Sequence, residues 1–120
     1  MDVLKKIALL EQEADEFGFK WEKASQIMAQ LRSELVEIEV HLKDKNNIKL
    51  QEEIGDLFHA AFSLCLFCGF SPEATLQHSI AKFEHRFNKI KAFAKQEGLA
   101  DLNGQSFDRL MGFWDKAKKD

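Results

Sequence analysis

The chain has 120 residues, 45% of them hydrophobic and 31% charged, which is enough for one core and too short for two. A net charge of −3 argues against a protein whose main task is gripping a nucleic-acid polymer, and no apolar run of about eighteen residues suggests a membrane span. The apolar stretch after Lys5-Lys6 is cut short by Glu11 and Glu13, which does not fit a secretory leader, so a single cytoplasmic domain over residues 1–120 is expected.

Few breakers and long stretches rich in Leu, Ala, Glu, Lys and Gln predict an all-α chain with no strand. A first helix is expected from about Val3 to Phe17, with Leu4, Ile7, Leu10, Ala14 and Phe17 at helical spacing before Gly18. The second should run from about Glu22 to Lys43 and turn at Asp44-Lys45-Asn46-Asn47; the third should run from about Ile48 to Cys68 and stop at Gly69. Ser71-Pro72-Glu73 gives the fourth helix its start, with Ser as N-cap and Pro at the first helical position, and Gly98 its end. Past a polar loop through Asn103-Gly104, a short last helix begins near Ser106 and carries Leu110, Phe113 and Trp114. The expected architecture is thus a four-helix bundle with a short C-terminal helix.

Cys65 and Cys68 are the only cysteines, and they lie in the apolar run Phe62-Ser63-Leu64-Cys65-Leu66-Phe67-Cys68. A redox pair normally sits exposed at a helix start, so these read as buried core thiols.

Two pairs of carboxylates, Glu34 with Glu37 and Glu53 with Asp56, carry the strongest chemical signal. Residues three apart are neighbours on a helix surface, and Mg²⁺ is held by a few carboxylates plus waters and substrate phosphates. At about 100° per residue, Ile27, Leu31, Leu35, Ile38 and Leu42 form a core stripe beside the polar strip Gln30, Glu34, Glu37 and His41. In the third helix Ile54, Leu57, Phe58, Ala61, Cys65 and Cys68 make the stripe, and Glu53, Asp56, Ala60 and Ser63 adjoin it. Acids that border the stripes of two neighbouring helices must approach one another when the stripes pack. Their mutual repulsion is resolved by a cation between them. The competing reading is that any long exposed helix carries such acids by chance.

The end of the third helix, with Phe62, Leu66 and Phe67 added to its stripe, is apolar nearly all round, which predicts burial on several sides. Another copy of the chain is one source of that cover, giving a homodimer or homotetramer; the first and last helices are the other.

With both acidic pairs in place, the chain resembles the MazG-type nucleoside triphosphate pyrophosphohydrolases, an all-helical family marked by ExxE and, after a spacer, ExxD. Here these read Glu34-Leu35-Val36-Glu37 and Glu53-Ile54-Gly55-Asp56. Phe17-Gly18-Phe19-Lys20-Trp21, Leu50-Gln51-Glu52-Glu53-Ile54-Gly55-Asp56-Leu57, Lys82-Phe83-Glu84-His85-Arg86-Phe87 and the tail Leu110 to Lys118 are similar to further segments of that family, in order and at fitting spacings. The resemblance implies hydrolysis of a nucleoside triphosphate between its α and β phosphates. It implies Mg²⁺, with Mn²⁺ as a possible substitute, on Glu34, Glu37, Glu53 and Asp56, and makes Glu52 a candidate to orient or deprotonate water. Lys82 and Arg86 would contact the triphosphate, and Trp114 with Lys118 would close over the nucleotide. On their own, Lys82, Arg86 and Lys89 also read as a solvated basic face, and either Phe113 or Trp114 as a core anchor.

Ser33 and Ser63 depart from the family's usual Glu and Asn. A ferritin-like di-metal protein using His41 and His59 is the runner-up. That site needs acids from four helices and two ExxH motifs, whereas only Asp56-Leu57-Phe58-His59 approximates one here. A non-catalytic helical dimerisation or regulatory module is the third reading. His78 and His85 read as surface or packing residues.

Overall fold

A computed structural model describes residues 2–119. Among them there are five helices and no strand: α1 (Val3–Phe17), α2 (Ala24–Asp44), α3 (Asn47–Phe67), α4 (Pro72–Gln96) and α5 (Phe107–Lys118). Four of the boundaries follow from local hydrogen bonding. Asp2 caps α1 by accepting from the Lys5 amide at 2.9 Å, Asn46 caps α3 through Lys49 at 3.2 Å, Ser71 accepts from Ala74 at 3.2 Å, and Ser106 caps α5 through Arg109 at 3.2 Å. Each satisfies an amide that has no partner inside its helix.

The second helix starts two residues later than the sequence suggests. The Gln26 side chain reaches back and accepts from the amides of Glu22 (2.9 Å) and Lys23 (3.1 Å), which holds the chain extended at Lys23 and sets the first helical residue at Ala24. At the end of α3, Gly69 takes φ +86°. Its amide bonds to Leu66 and that of Phe70 to Cys65, each at 3.0 Å, the paired bonds of a left-handed helix stop.

The chain divides into two compact units, one ending at Thr75 and the other starting at Leu76. In the first unit α2 packs along α3, and α1 lies on α3. Only Lys45 and Asn46 separate α2 from α3, a link short enough to make them antiparallel neighbours. Ile27, fully buried, and Ala60 anchor this packing. In the second unit Ala94 of α4 and Phe113 and Ala117 of α5 are buried. There Lys89 donates to the carbonyls of Ala117 (3.1 Å) and Lys119 (3.3 Å), and Arg109 bonds Glu97 at 2.6 Å.

Several expected core positions are not buried. Leu35 (49% exposed), Leu42 (59%) and Phe58 (59%) stand open, while Glu34, Ala60 and Ser63 are buried. The α2–α3 contact therefore takes in Ile27 of the expected stripe together with Glu34, Ala60 and Ser63 of the strips beside the stripes. Ala60 and Ser63 are small, so the two helices can approach closely along that line. Toward the end of α3, Phe62 and Leu66 are half-buried and Phe67 is exposed, which is less cover than an all-round apolar surface suggests. The cysteines also differ from expectation. Cys65 is half-buried and Cys68 exposed, because Cys68 is the C-cap residue, beyond the last turn that packs. Both are free thiols.

Candidate functional site

Packing α2 on α3 brings the two carboxylate pairs together. Ligand oxygens of Glu34, Glu53 and Asp56 lie within 4.8 Å of one another, and so do ligand atoms of Glu37, His41 and Glu53. Glu53 belongs to both groups and joins them. Glu34 is 7% exposed. Gln30 Nε2 donates to its Oε1 at 2.6 Å, and its buried Oε2 has no hydrogen-bond partner. A buried carboxylate oxygen left without a donor is costly, and a cation at that position removes the cost. The residues therefore fit a divalent metal ion.

The electrostatics agree. The Glu53 carboxyl is pushed above its ordinary value, first by the neighbouring Glu34 carboxyl, then by desolvation and by the charges of Asp56 and Glu37. Carboxylates held this close resist ionising together. A metal ion would offset their charge and favour the ionised forms.

Glu34 and Asp56 also line a cavity of about 620 Å³, within the ~300–1,000 Å³ range of small-molecule clefts. Its other walls include Ile7, Leu10 and Glu11 of α1, the Phe19-Lys20-Trp21 segment, and His59 and Ser63 of α3. Glu11 Oε1 accepts a short hydrogen bond from Ser63 Oγ and lies 3.0 Å from His59 Nε2. This polar group escaped the sequence reading, although a signal existed: Glu11 falls on the same α1 face as Ile7 and Ala14, an acid inside an apolar row.

The remaining expected site residues are placed as follows. Glu52 is exposed and joins neither metal-capable group. Lys82 is exposed on α4. The Arg86 guanidinium lies 5.2 Å from the ring centre of Trp114, and Trp114 lies 6.0 Å from Phe83. Lys118 pairs with Asp115 at 3.7 Å. Phe113 is the buried anchor, Trp114 being half-buried. Lys89 does not continue a basic face, because its ammonium is turned onto the end of α5. Of the two histidines placed near the acids, His41 joins a metal-capable group and His59 binds Glu11 instead. Among the described residues those groups draw on α2 and α3 only, unlike a ferritin-like site with acids from four helices. His78 and His85 are exposed.

Fold and site together define an all-helical protein whose clustered carboxylates can hold a metal ion beside a cavity of ligand size. Comparison with known proteins narrows this class. The chain is 27% identical over 104 residues to the nucleoside triphosphate pyrophosphohydrolase of Escherichia coli (strain K12), covering 85% of this chain and 39% of that protein. The protein of the same name from Escherichia coli O157:H7 gives the same values. Uncharacterized protein YabN of Bacillus subtilis (strain 168) is 36% identical over 72 residues, which is 58% of this chain and 14% of YabN. The chain thus spans well under half the length of these curated relatives. No family model matches it.

Proposed function

We propose that the chain is a Mg²⁺-dependent nucleoside triphosphate pyrophosphohydrolase, which cleaves a ribo- or deoxyribonucleotide between the α and β phosphates to give the monophosphate and pyrophosphate. The observation that carries this reading is Glu34 Oε2, a buried oxygen without a donor, grouped with Glu53 and Asp56 in or beside the wall of a ligand-sized cavity. The distant relative bearing the enzyme's name over most of this chain supports the reaction class.

Glu34, Glu37, Glu53 and Asp56 would hold Mg²⁺, or Mn²⁺ in its place. When bound, the ion supplies charge neutralisation on the polyphosphate and lowers the pKa of a coordinated water. Gln30 fixes the rotamer of Glu34, so that a ligand oxygen is set before substrate arrives. Phe19 and Trp21 give the cavity aromatic faces on which a base can lie. Glu52, exposed and outside both groups, is the proposed acceptor of a proton from water.

Lys82, Arg86, Trp114 and Lys118 are proposed as nucleotide contacts on the strength of the sequence resemblance. For Arg86, a guanidinium held over Trp114 keeps a planar donor fork suited to phosphate oxygens. We further propose a cytoplasmic homodimer or homotetramer forming one functional domain, with no nucleic-acid polymer or membrane as partner. The exposed apolar side chains Leu35, Val36, Val40 and Leu42 of α2 support self-association. No single helix among the described residues is long and apolar enough to cross a membrane.

The test is pyrophosphate release from a panel of NTPs and dNTPs with Mg²⁺. Turnover that disappears with chelator and in Glu53→Ala and Asp56→Ala supports the reading. No turnover on any nucleotide, or full turnover in both variants, overturns it.

A further inference from the structure

Glu11 stands on the wall of the same cavity as Glu34 and Asp56 but belongs to neither metal-capable group. Its side chain is 25% exposed and shares the wall with Ile7, Leu10 and Ala14, apolar neighbours on α1. Two donors from α3 hold it. Ser63, itself buried, donates through Oγ to Glu11 Oε1, and His59 Nε2 lies 3.0 Å from the same oxygen. A carboxylate only accepts, so Nε2 carries the proton of that bond, and the two bonds fill both lone pairs of Oε1. Oε2 takes part in neither and keeps its own acceptor capacity.

The position suits the base of a nucleotide. His59 and Ser63 follow Asp56 on α3, which puts them about 5 and 10 Å along the helix axis from it. Glu11 is thereby held a short way from the carboxylates that would grip a polyphosphate. Phe19 and Trp21 supply aromatic faces in the same wall. A nucleotide anchored by its phosphates beside Asp56 and lying along this wall can present the edge of its base to Glu11.

We propose that Glu11 is a specificity-determining residue, whose Oε2 accepts a hydrogen bond from the exocyclic amino group of cytosine or adenine. The inference rests on the proposed function for where the phosphates sit, and goes beyond it in naming the base. Amino to carboxylate is the pairing by which acidic side chains read cytosine. Uracil, thymine and hypoxanthine carry a carbonyl at that position, and two oxygen acceptors facing one another repel. Guanine offers two adjacent donors, which suit a carboxylate with both oxygens open; here Oε1 is already filled.

The test measures the affinity of the full chain, with Mg²⁺, for the α,β-methylene analogues of dCTP and dUTP and of dATP and dITP. These resist cleavage between the α and β phosphates, and within each pair a carbonyl replaces the amino group. The wild type should prefer the amino member of at least one pair by about 10- to 100-fold, the range for a hydrogen bond to a charged group, and the pair concerned tells pyrimidine from purine. In Glu11→Gln the side-chain carbonyl stays with Ser63 and His59, since both are donors, and the amide NH₂ takes the place of Oε2. The preference should then reverse toward the carbonyl member. A carboxylate that only pins α1 to α3 would be replaced by Gln with no change in ranking. Equal affinity within both wild-type pairs, or the wild-type ranking kept in folded Glu11→Gln, overturns the inference; the wild-type comparison decides alone if the variant does not fold. Equal affinities together with pyrophosphate release from the natural nucleotides leave the hydrolase reading standing. An amino preference in binding without any pyrophosphate release does the reverse, and no nucleotide binding overturns both.

Discussion

Gln30 donates to one oxygen of Glu34 at 2.6 Å and leaves the other, buried, without a partner. The amide thus orients a carboxylate whose second oxygen a cation would satisfy. Gln30→Ala is expected to weaken divalent binding by about 10- to 100-fold, the range for losing a group that orients a metal ligand. Isothermal titration with Mg²⁺ or Mn²⁺ checks this, and unchanged affinity would remove Gln30 from the site.

Without metal, the cluster repels itself. Glu53→Gln removes one charge from the meeting point of both groups, so the metal-free variant should melt higher than the metal-free wild type and gain less from added Mg²⁺. Thermal melts with chelator and with Mg²⁺ give the comparison. A variant that melts lower under chelation would mean the wild-type cluster is not under strain.

The pH dependence has a definite sign. Because the folded-state pKa of Glu53 is raised, the unfolded chain gives up this proton at lower pH than the folded one. The contribution to stability is therefore full below the ordinary glutamate range and is lost as pH rises through the higher folded value. Metal-free protein should lose this increment above that value, and saturating Mg²⁺ should flatten the profile. Chemical denaturation across pH, with Glu53→Gln as the reference that lacks the group, isolates the effect.

Ile27 is fully buried, and Ile27→Ala should cost about 2–5 kcal/mol of stability. Leu35 and Leu42 lie on the same helix but are about half exposed, so the pair Leu35→Glu and Leu42→Glu is expected to preserve helicity and lower the mass seen by light scattering. An unchanged mass would show that this face is not where copies of the chain meet.

The helices were legible locally. Ser71-Pro72 and Ser106 mark two starts, and Gly69 and Gly98 mark two ends, because caps and left-handed residues act through neighbours a few positions away. The acidic pairs were legible for the same reason, since residues three apart must share a face. Periodicity did not fix which face packs. It placed Leu35, Leu42 and Phe58 in the core and the acids beside it, whereas Glu34, Ala60 and Ser63 occupy the buried line. Apolar spacing locates a stripe but not its partner, and small side chains allow a closer helix approach than large ones.

The amino-acid order by itself therefore determined five helices, the Ser71 cap of the fourth, the Gly69 stop of the third, and four carboxylates paired on consecutive helices. Only the tertiary packing decided that Glu53 joins two groups, that His41 belongs with the acids while His59 turns to Glu11, and that Glu11 and Ser63 meet across 52 positions of chain. The physical reason is range. Caps and helix faces are set by bonds spanning three or four residues, whereas a ligand cluster depends on the rotation of one helix against another, which is set by the summed packing of side chains distant in sequence.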